Sequence, residues 1–268
     1  MDTYTARRLS ALNTRFYREH SASFSSSRKA PWPGWQACLA HLREELPDPG
    51  KELLVFDLAC GNLRFEHFLL AELPEYRLNC FGVDNCDDLL PASPLVSYQH
   101  LDVLDALFQG RELTNSFEAP PCSVAVSFGF MHHIPLPELR RAVLNSLIEQ
   151  VCPGGYVITT FWQFMNDAGL RAKALALQAE ARAELGLKDL DEDDFLLSWN
   201  NIPGAYRYCH NFSEAEIDEL LESVSAQASL HSRFSADGRT NTLNTYVILK
   251  RHAYVPGLAA EDTHFSII

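Results

Sequence analysis

Short apolar runs alternate with segments of helical periodicity along most of this 268-residue chain. The runs have the length of strands, and continuous hydrophobicity is typical of strands that are covered on both faces. In the segments between them, apolar residues recur on one helical face. Strands alternating with helices predict a mostly parallel sheet between two helical layers. The predicted strands are Leu53–Leu58, Leu78–Val83, Ser97–Leu101, Val124–Phe128 and Tyr156–Phe161, and the predicted helices are Phe65–Leu73, Pro137–Val151 and Asn166–Leu185.

The two ends of the chain show different patterns. Residues 1–50 predict two helices, separated by the Ser-rich stretch Ser21–Ser27 and a Pro-Trp-Pro-Gly turn. Towards the other end, the runs Ala228–Phe234 and Leu243–Leu249 flank an Asp-Gly turn signal, so they predict a closing pair of strands. The last residues, 252–268, are expected to form an irregular tail.

A helix start is marked at Ser213 by a capping box. Ser213 can cap the backbone N–H of Glu216 while the Glu216 side chain reaches back to Ser213. Phe212 and Ile217 fall at the positions of a hydrophobic staple. A helix from about Glu214 to Val224 is therefore predicted.

Composition narrows the class of protein. A net charge of −13 disfavours broad, non-specific nucleic-acid binding, although basic residues cluster in the first thirty positions. The acidic stretch Asp189–Asp194 is interpreted as a solvated face or loop. Seven cysteines with no CxxC pair argue against a disulfide framework or a zinc site and favour a reducing cytoplasm. No secretory signal or membrane-spanning run is visible, so no membrane association is expected.

Carboxylates stand at the ends of the first three predicted strands. Asp57 opens the loop Asp57–Asn62, whose small residues allow a ligand to approach the backbone before a helix begins. Asp84 can accept hydrogen bonds from both hydroxyls of a ribose. Asp102 can accept from an adenine amino group while Val103 packs on the ring. Any one of these acids could simply cap a helix, but together they predict a nucleoside site at the carboxyl edge of the sheet.

The glycine pattern distinguishes two candidate cofactors. A dinucleotide fingerprint requires G-x-G-x-x-G, but Ala59 and Arg64 occupy the first and third glycine positions, which leaves only Gly61. Such a loop is poorly suited to holding a pyrophosphate. S-adenosylmethionine (SAM) has no pyrophosphate, so SAM is predicted rather than NAD.

The segment Asp57-Leu58-Ala59-Cys60-Gly61-Asn62 resembles motif I of class I SAM-dependent methyltransferases, usually written D-x-G-x-G-x-G, with departures at Ala59 and Leu63. Cys152–Gly155 resembles the turn before strand 5 of that family, and the final hairpin resembles its reversed seventh strand. The resemblance implies an α/β fold with a seven-stranded, mostly parallel Rossmann-like sheet, a reversed last strand, helices on both faces and an N-terminal helical extension. It divides the chain into a helical cap over the cofactor site (1–50), a methyltransferase domain (51–251) and a tail (252–268).

A narrower resemblance is to the tRNA wobble-uridine carboxymethyl methyltransferases, which esterify a carboxymethyl group on that base. It implies tRNA as the acceptor, and some enzymes of this family work with a small zinc-binding protein partner. Four separated segments carry the resemblance in the same order: Tyr17–Ser25 with Arg28 and Trp32-Pro33, Met131–Ile134 with Arg140-Arg141, Tyr206–Phe212, and Asn244–Lys250.

The strand-end acids and the resemblance together predict the site residues. Arg28 is a candidate for the SAM carboxylate, and Arg207 for an acceptor carboxylate that its guanidinium can bind in bidentate fashion. No metal site is predicted. The residues predicted to act on the acceptor are His132, Arg207, Tyr208 and His210, of which Tyr208 and His210 have a second interpretation as anchors of their loop. The residues predicted to bind SAM are Tyr17, Arg28, Trp32, Asp57, Ala59, Gly61, Asn62, Asp84, Asn85, Asp102, Val103, Phe128 and Met131.

The chemistry of the acceptor decides whether a base is needed. A carboxylate is already ionised at neutral pH, whereas an alcohol or amine would make His132 or His133 the candidate general base. Three functions stay open: a tRNA-modifying methyltransferase, a methyltransferase of small molecules such as carboxylic acids, and a non-catalytic SAM-binding subunit. The charge of −13 favours the second, and the missing motif I glycines keep the third open.

Overall fold

The computed structural model describes residues 1–253 except 92, 94, 95, 189 and 201, so almost all of the predicted tail lies outside the described residues. The helices are α1 (Thr3–Ser26), α2 (Pro33–Leu42), α3 (Arg64–Glu72), α4 (Val103–Phe108), α5 (Pro137–Gln150), α6 (Ala168–Leu185) and α7 (Glu214–Ser223). The strands are β1 (Glu52–Leu58), β2 (Arg77–Asp84), β3 (Val96–His100), β4 (Cys122–Ser127), β5 (Val151–Trp162), β6 (Asp194–Ser198), β7 (Tyr206–His210), β8 (Ala228–Ala236) and β9 (Asn244–Arg251). None of these helices is both long and apolar enough to cross a bilayer.

Seven strands form one sheet in the order β3-β2-β1-β4-β5-β9-β8. Strands β1 to β5 pair in parallel, and β9 runs antiparallel to both of its neighbours, β5 and β8. The predicted seven-stranded, mostly parallel sheet with a reversed last strand is therefore confirmed. In such a sheet the carboxyl ends of β1, β2, β3 and β4 meet along one edge, where ligands bind.

The core has two layers because side chains alternate across each strand. In β1, Phe56 and Leu58 pack with residues of α4, α5 and α7, while Leu53 and Val55 pack with residues of α2 and α3 on the opposite face. All four side chains are buried. Helices cover both faces of the sheet, as the apolar strands predicted.

Several predicted boundaries differ from the structure. Helix α1 continues through Ser21 to Ser26, because the hydroxyls of Ser23 and Ser26 hydrogen-bond to carbonyls three residues earlier instead of ending the helix. Helix α5 ends at Gln150, and β5 starts at once with Val151. Helix α6 starts at Ala168, two residues later than predicted, where the carboxylate of Asp167 accepts the backbone N–H of Leu170.

Strands β6 and β7 form a separate antiparallel pair that the hydrophobic pattern did not predict. Asp194 opens β6 and is fully buried, so the interpretation of Asp189–Asp194 as a solvated face or loop is wrong at this position. Asp191 to Asp193 are exposed, as expected. The buried acid is stabilised by partners from distant segments, which are described below.

Helix α7 has the predicted start but only half of the capping box. The Ser213 hydroxyl accepts the backbone N–H of Glu216 at 3.1 Å, as predicted. The Glu216 side chain does not reach back to Ser213, because it binds Arg140 and His210. Phe212 and Ile217 are both buried in the core, as staple positions require.

Candidate active site

A cavity of about 410 Å³ opens at the carboxyl edge of the sheet. Its walls come from α1, the start of α2, the loops after β1 to β4, strand β7 and the turn between β8 and β9. Its size is within the range of small-molecule sites. Fourteen of the predicted site residues line it: Tyr17, Arg28, Trp32, Asp57, Ala59, Gly61, Asn62, Asp84, Asn85, Asp102, Val103, Phe128, His132 and Arg207.

The loop after β1 keeps a left-handed backbone at all three positions where motif I has glycine. The φ angles are 64° at Ala59, 55° at Gly61 and 58° at Leu63. Non-glycine residues adopt such angles at a cost of about 1–2 kcal/mol each. The loop therefore retains the shape of the motif despite its two departures, and the buried Leu63 side chain adds a core contact.

Asp84 closes this loop against the end of β2. One carboxylate oxygen accepts the backbone N–H of Gly61 at 2.9 Å, and the other accepts that of Cys86 at 2.9 Å. Burial raises the pKa of Asp84, although these backbone donors oppose the shift. The carboxylate thus shapes the loop as well as facing the cavity.

Asp102 has the helix-capping role that any strand-end acid can have. Its Oδ1 accepts the backbone N–H of Asp105 at the start of α4, at 2.9 Å. Its Oδ2 accepts from the Asn85 side chain at 2.8 Å, and Asn85 also donates to the Thr14 hydroxyl at 3.1 Å. These bonds tie α1 to the edge of the sheet beside the predicted adenine position.

A buried carboxyl pair, Asp57 and Glu66, lies beneath the loop. Asp57 is at the end of β1, Glu66 is in the first turn of α3, and they are 4% and 1% exposed. Burial and the neighbouring carboxyl groups raise the pKa of Asp57 well above its usual value, and burial raises that of Glu66 to about 7. Within the described part of the chain, Asp57 Oδ1 and both Glu66 oxygens are buried without a hydrogen-bond partner. The pair therefore holds a proton that a cationic ligand could displace.

Glu66 was not among the predicted site residues. The signal available in the sequence is an acidic residue on the inward face of a helix, between the buried Phe65 and Phe68. Most such glutamates lie at the edge of a helical face, so the pattern alone does not identify a buried one.

The opposite wall of the cavity carries two arginines. Arg207 is 7% exposed, and its guanidinium lies 5.5–5.7 Å from the ring centres of Phe16, Trp162 and Trp199. Its Nε has no acceptor among the described residues. Arg28 stacks at 3.8 Å on the ring of Phe24. Burial and the charge of Arg207 lower the pKa of Arg28 to about 10. Neither arginine forms an ion pair with a carboxylate in the part of the chain that the structure describes.

His133 is engaged at both ring nitrogens. Nδ1 lies 2.9 Å from the carbonyl oxygen of Tyr208, and Nε2 lies 2.7 Å from the hydroxyl of Tyr17. A carbonyl only accepts, so Nδ1 carries the proton and Nε2 accepts from Tyr17. Burial and the charge of Arg207 lower the pKa of His133 to about 3. His133 is therefore a fixed, neutral support.

His132 faces the cavity beside Trp162, with their ring centres 4.8 Å apart. Burial, His133 and Arg207 together lower the pKa of His132 well below its usual value. Its Nδ1 is buried and finds no hydrogen-bond partner in the described part of the chain. A weakly basic imidazole beside two arginines is a poor general base at neutral pH.

His132, His133 and Cys209 place three potential metal-binding atoms within 4.8 Å of one another. The ring nitrogens of His133 are already hydrogen-bonded, and burial raises the pKa of the Cys209 thiol to about 12. Arg28 and Arg207 add positive charge beside the cluster. These features do not fit a cation, which requires deprotonated and available ligands.

Three predicted site residues lie outside the cavity wall. Met131 is fully buried in the core, because the 3₁₀ turn Met131–His133 directs His132 to the cavity and Met131 inward. Tyr208 and His210 are buried on the other face of β7, where they bind Asp194. These contacts are those expected of residues that anchor the segment, which is the second interpretation of Tyr208 and His210.

Comparison with solved structures identifies the fold. The fold is that of class I SAM-dependent methyltransferases. A SAM-dependent methyltransferase from Methanosarcina mazei has a TM-score of 0.56 and 15% identity, with 80% of this chain and 97% of that chain covered. One from Clostridium acetobutylicum has a TM-score of 0.52 and 11% identity, with 89% and 98% covered. No family model matches the sequence.

Among curated proteins, the chain is similar to enzymes of tRNA modification. The tRNA (carboxymethyluridine(34)-5-O)-methyltransferase of Arabidopsis thaliana is 29% identical over 167 residues, which are 62% of this chain and 36% of that protein. The corresponding enzyme ALKBH8 of Macaca fascicularis is 26% identical over 151 residues, 56% of this chain and 20% of that protein. The matched region thus spans about a third and a fifth of these relatives. The predicted resemblance to this group is confirmed.

Proposed function

We propose that this chain is a SAM-dependent methyltransferase that esterifies the carboxymethyl group of a wobble uridine in tRNA. The observation that carries the proposal is the pair of arginines on the cavity wall, the buried Arg207 and the partly exposed Arg28, neither of which has a carboxylate partner among the described residues. Buried cations without partners are unfavourable, so such a wall favours anionic ligands. The similarity to the carboxymethyluridine enzymes supplies the acceptor.

The acid-lined side of the cavity fits SAM. Asp84 would hold the ribose, Asp102 would face the adenine, and Asp57 would face the methionine ammonium once that cation displaces the proton of the Asp57–Glu66 pair. Arg28 would hold the methionine carboxylate as a charge-assisted pair. Residues 1–50 would act as the cap, since Tyr17, Arg28 and Trp32 form part of the wall.

The residues of the acceptor side align a nucleophile and do not activate it. When bound, SAM supplies an electrophilic methyl carbon, to which a carboxylate oxygen forms a bond as the carbon–sulfur bond breaks and S-adenosylhomocysteine leaves. Arg207 would orient the carboxylate, and Trp162 and His132 offer ring faces beside it. No proton moves in this reaction, which agrees with the lowered pKa values of His132 and His133. Alignment alone contributes several kcal/mol to such displacements.

The acceptor base would have to leave its stack to reach the cavity, as in other enzymes that modify bases. The outer surface of α1 and the residues after it carry Arg15, Arg18 and Lys29, all exposed and available for phosphate contacts. Arg7 and Arg8 are already bound to the backbone carbonyls of Phe108 and Leu185. The basic cluster in the sequence is thus partly structural.

Two assays test the proposal in order. Calorimetric titration should show micromolar binding of SAM and S-adenosylhomocysteine and no response to NAD. Incubation with methyl-tritiated SAM and tRNA bearing carboxymethyluridine should then label the tRNA, and mild alkali should release the label as methanol, because only an ester is that labile. Absence of SAM binding would contradict the cofactor assignment, and alkali-stable label would contradict the ester.

A small carboxylic acid is the second candidate acceptor, and the net charge of −13 favours it over RNA. The same labelled SAM, incubated with a panel of small carboxylates, separates the two candidates. If the label appeared in methyl esters of small acids and not in tRNA, this alternative would be established. The assignment of Arg207 to a carboxylate would be unaffected.

A further inference from the structure

Behind Arg207, on the far side of β7, lies a closed group of buried polar side chains. We call Arg140, Asp194, Tyr208, His210 and Glu216 the buried ion cluster. The first four are at most 5% exposed, and Glu216 is partly exposed. Nothing in the proposed methyl transfer uses this cluster, and burial of so many ionisable groups is costly unless they satisfy one another.

Every member of the buried ion cluster is bound by others. Asp194 Oδ1 accepts from the Tyr208 hydroxyl at 2.7 Å and lies 2.8 Å from His210 Nδ1. His210 Nε2 lies 2.7 Å from Glu216 Oε2. Arg140 donates to Glu216 at 2.5 Å, to the Tyr208 hydroxyl at 3.3 Å and to the carbonyl of Ile134 at 2.9 Å. The cluster thereby joins β6, β7, α5 and α7.

The charges within the cluster balance. Burial opposes a charge on His210, but hydrogen bonds with Asp194 and Glu216 outweigh it and raise the pKa of the imidazole. Burial likewise opposes ionisation of Asp194 and Glu216, yet hydrogen bonds from His210 and, for Asp194, Tyr208 lower their pKa values. Two carboxylates thus face one imidazolium and one guanidinium, so the loss of one member leaves a partner charge unpaired.

Strand β7 connects this cluster to the cavity. Successive side chains of a strand point to opposite faces, so Tyr208 and His210 enter the cluster while Arg207 and Cys209 face the other side. One edge of β7 pairs with β6. At the other edge the Asn13 side chain accepts the backbone N–H of Tyr208 at 2.7 Å and donates to its carbonyl at 3.1 Å. Arg207 therefore projects from a short strand that is held from three directions.

We propose that Asp194 and His210 are positioning residues, which fix β7 so that the Arg207 guanidinium meets the acceptor carboxylate. This inference rests on the proposed function. Arg207 lies among three aromatic rings and interacts with the Tyr17 hydroxyl, but it has no acidic partner among the described residues. One neutral hydroxyl does not fix both arms of the guanidinium, so the strand must supply the rest of the orientation, and bidentate pairing tolerates little misplacement.

The test measures discrimination by binding and needs no turnover. Dissociation constants are measured, in saturating S-adenosylhomocysteine, for two anticodon stem-loop RNAs carrying either carboxymethyluridine or its neutral carbamoylmethyl analogue. Their ratio isolates recognition of the carboxylate. We expect the full-length protein to prefer the carboxylate RNA at least tenfold, and Asp194→Asn to reduce that preference to threefold or less, with S-adenosylhomocysteine affinity within twofold of wild type.

Two further variants distinguish a specific effect on β7 from a general loss of stability. Tyr208→Phe removes only the hydroxyl that donates to Asp194, so it should fold and show an intermediate ratio. Leu53→Ala creates a cavity in the core layer beside α2 and α3, which contains no residue of β7, and should lower the melting temperature while keeping the full ratio.

The outcomes distinguish the positioning role of Asp194 and His210 from the proposed function. A full preference in folded Asp194→Asn and Tyr208→Phe would overturn the positioning role while leaving the proposed function intact. A reduced preference in Leu53→Ala would also overturn it, because any destabilisation would then suffice. No preference in the wild-type protein would overturn the assignment of Arg207 to a carboxylate, and with it this inference.

Discussion

The two halves of the cavity have opposite character. The cofactor half is lined by Asp57, Asp84 and Asp102 at the ends of consecutive strands, with Glu66 buried behind them. The proposed acceptor half carries Arg207 amid aromatic rings and neutral imidazoles, and Arg28, which we propose for the methionine carboxylate of SAM, adds positive charge beside it. The first half is held by backbone hydrogen bonds within a repeated strand–helix unit, and the second by side chains from α1, β7 and the turn after β4. The contrast suits a cationic methyl donor beside an anionic acceptor.

Loss of the Arg207 charge should break this asymmetry most strongly. Arg207→Gln should lower kcat/KM for the carboxymethyl RNA about 100-fold, equivalent to about 3 kcal/mol, because charge-assisted hydrogen bonds to the acceptor are lost. SAM affinity should stay within twofold. Steady-state kinetics and calorimetry check both, with Arg207→Lys as a variant that retains charge without the fork. Loss of SAM binding in Arg207→Gln would instead make Arg207 a structural residue.

A change at Asp84 should affect SAM binding in the proposed cofactor half of the cavity. Asp84→Asn should weaken SAM binding about tenfold, since one acceptor for the ribose is lost and the bond to Gly61 or Cys86 is weakened. Asp87→Asn is the matched control, because Asp87 binds His100 and Tyr98 outside the cavity. Calorimetry measures both affinities. Unchanged affinity in Asp84→Asn would rule out the ribose assignment.

Glu66 should make stability depend on pH. A carboxyl group with a higher pKa in the folded state binds its proton more tightly there, so the free energy of unfolding falls as pH rises from about 4.5 to about 7. Glu66→Gln removes that fall, and the variant should be more stable than wild type at pH 8 by about 3 kcal/mol, with no gain at pH 4. Urea unfolding at both pH values measures this. A less stable variant at pH 8 would contradict the protonated pair.

The smallest change in stability is expected for a substitution in the loop after β1. Ala59→Gly relieves a left-handed backbone, so the free energy of unfolding should rise by up to about 1 kcal/mol, after the entropic cost of glycine. Ala125→Gly, in the middle of β4 with ordinary backbone angles, should instead lose stability. Denaturant titrations compare the two. Destabilisation at both positions would show that the loop carries no strain at Ala59.

The two halves also differ in how far sequence predicts them. Asp57, Asp84 and Asp102 follow from strand ends because each lies within a local strand–helix repeat. Arg207 was found only through resemblance, since its neighbours Phe16 and Trp162 are far away in sequence. Local patterns determine which strands meet at an edge, but they do not show which side chains gather from distant elements.

Buried polar groups are the feature that local sequence patterns predict least well. Asp194 and Glu66 look like surface acids in the sequence, yet both are almost fully buried. Asp194 is stabilised by Arg140 and His210, and its distance from Arg140 along the chain leaves no local signal. The β6–β7 pair escaped prediction for the same reason, because its residues are fixed by packing against α1 and α6 and not by alternation of polarity.

The division of the cavity into a cationic and an anionic half is tested most directly by single-turnover methyl transfer. Methyl-tritiated SAM is mixed with excess protein and an anticodon stem-loop RNA that carries either carboxymethyluridine or carbamoylmethyluridine. The account predicts rapid, alkali-labile labelling of the carboxylate RNA and none of the amide RNA, with similar rates at pH 6 and pH 8 because the carboxylate needs no general base and the pKa values of His132 and His133 are lowered. Equal labelling of both RNAs, or a rate that rises steeply over this pH range, would contradict it.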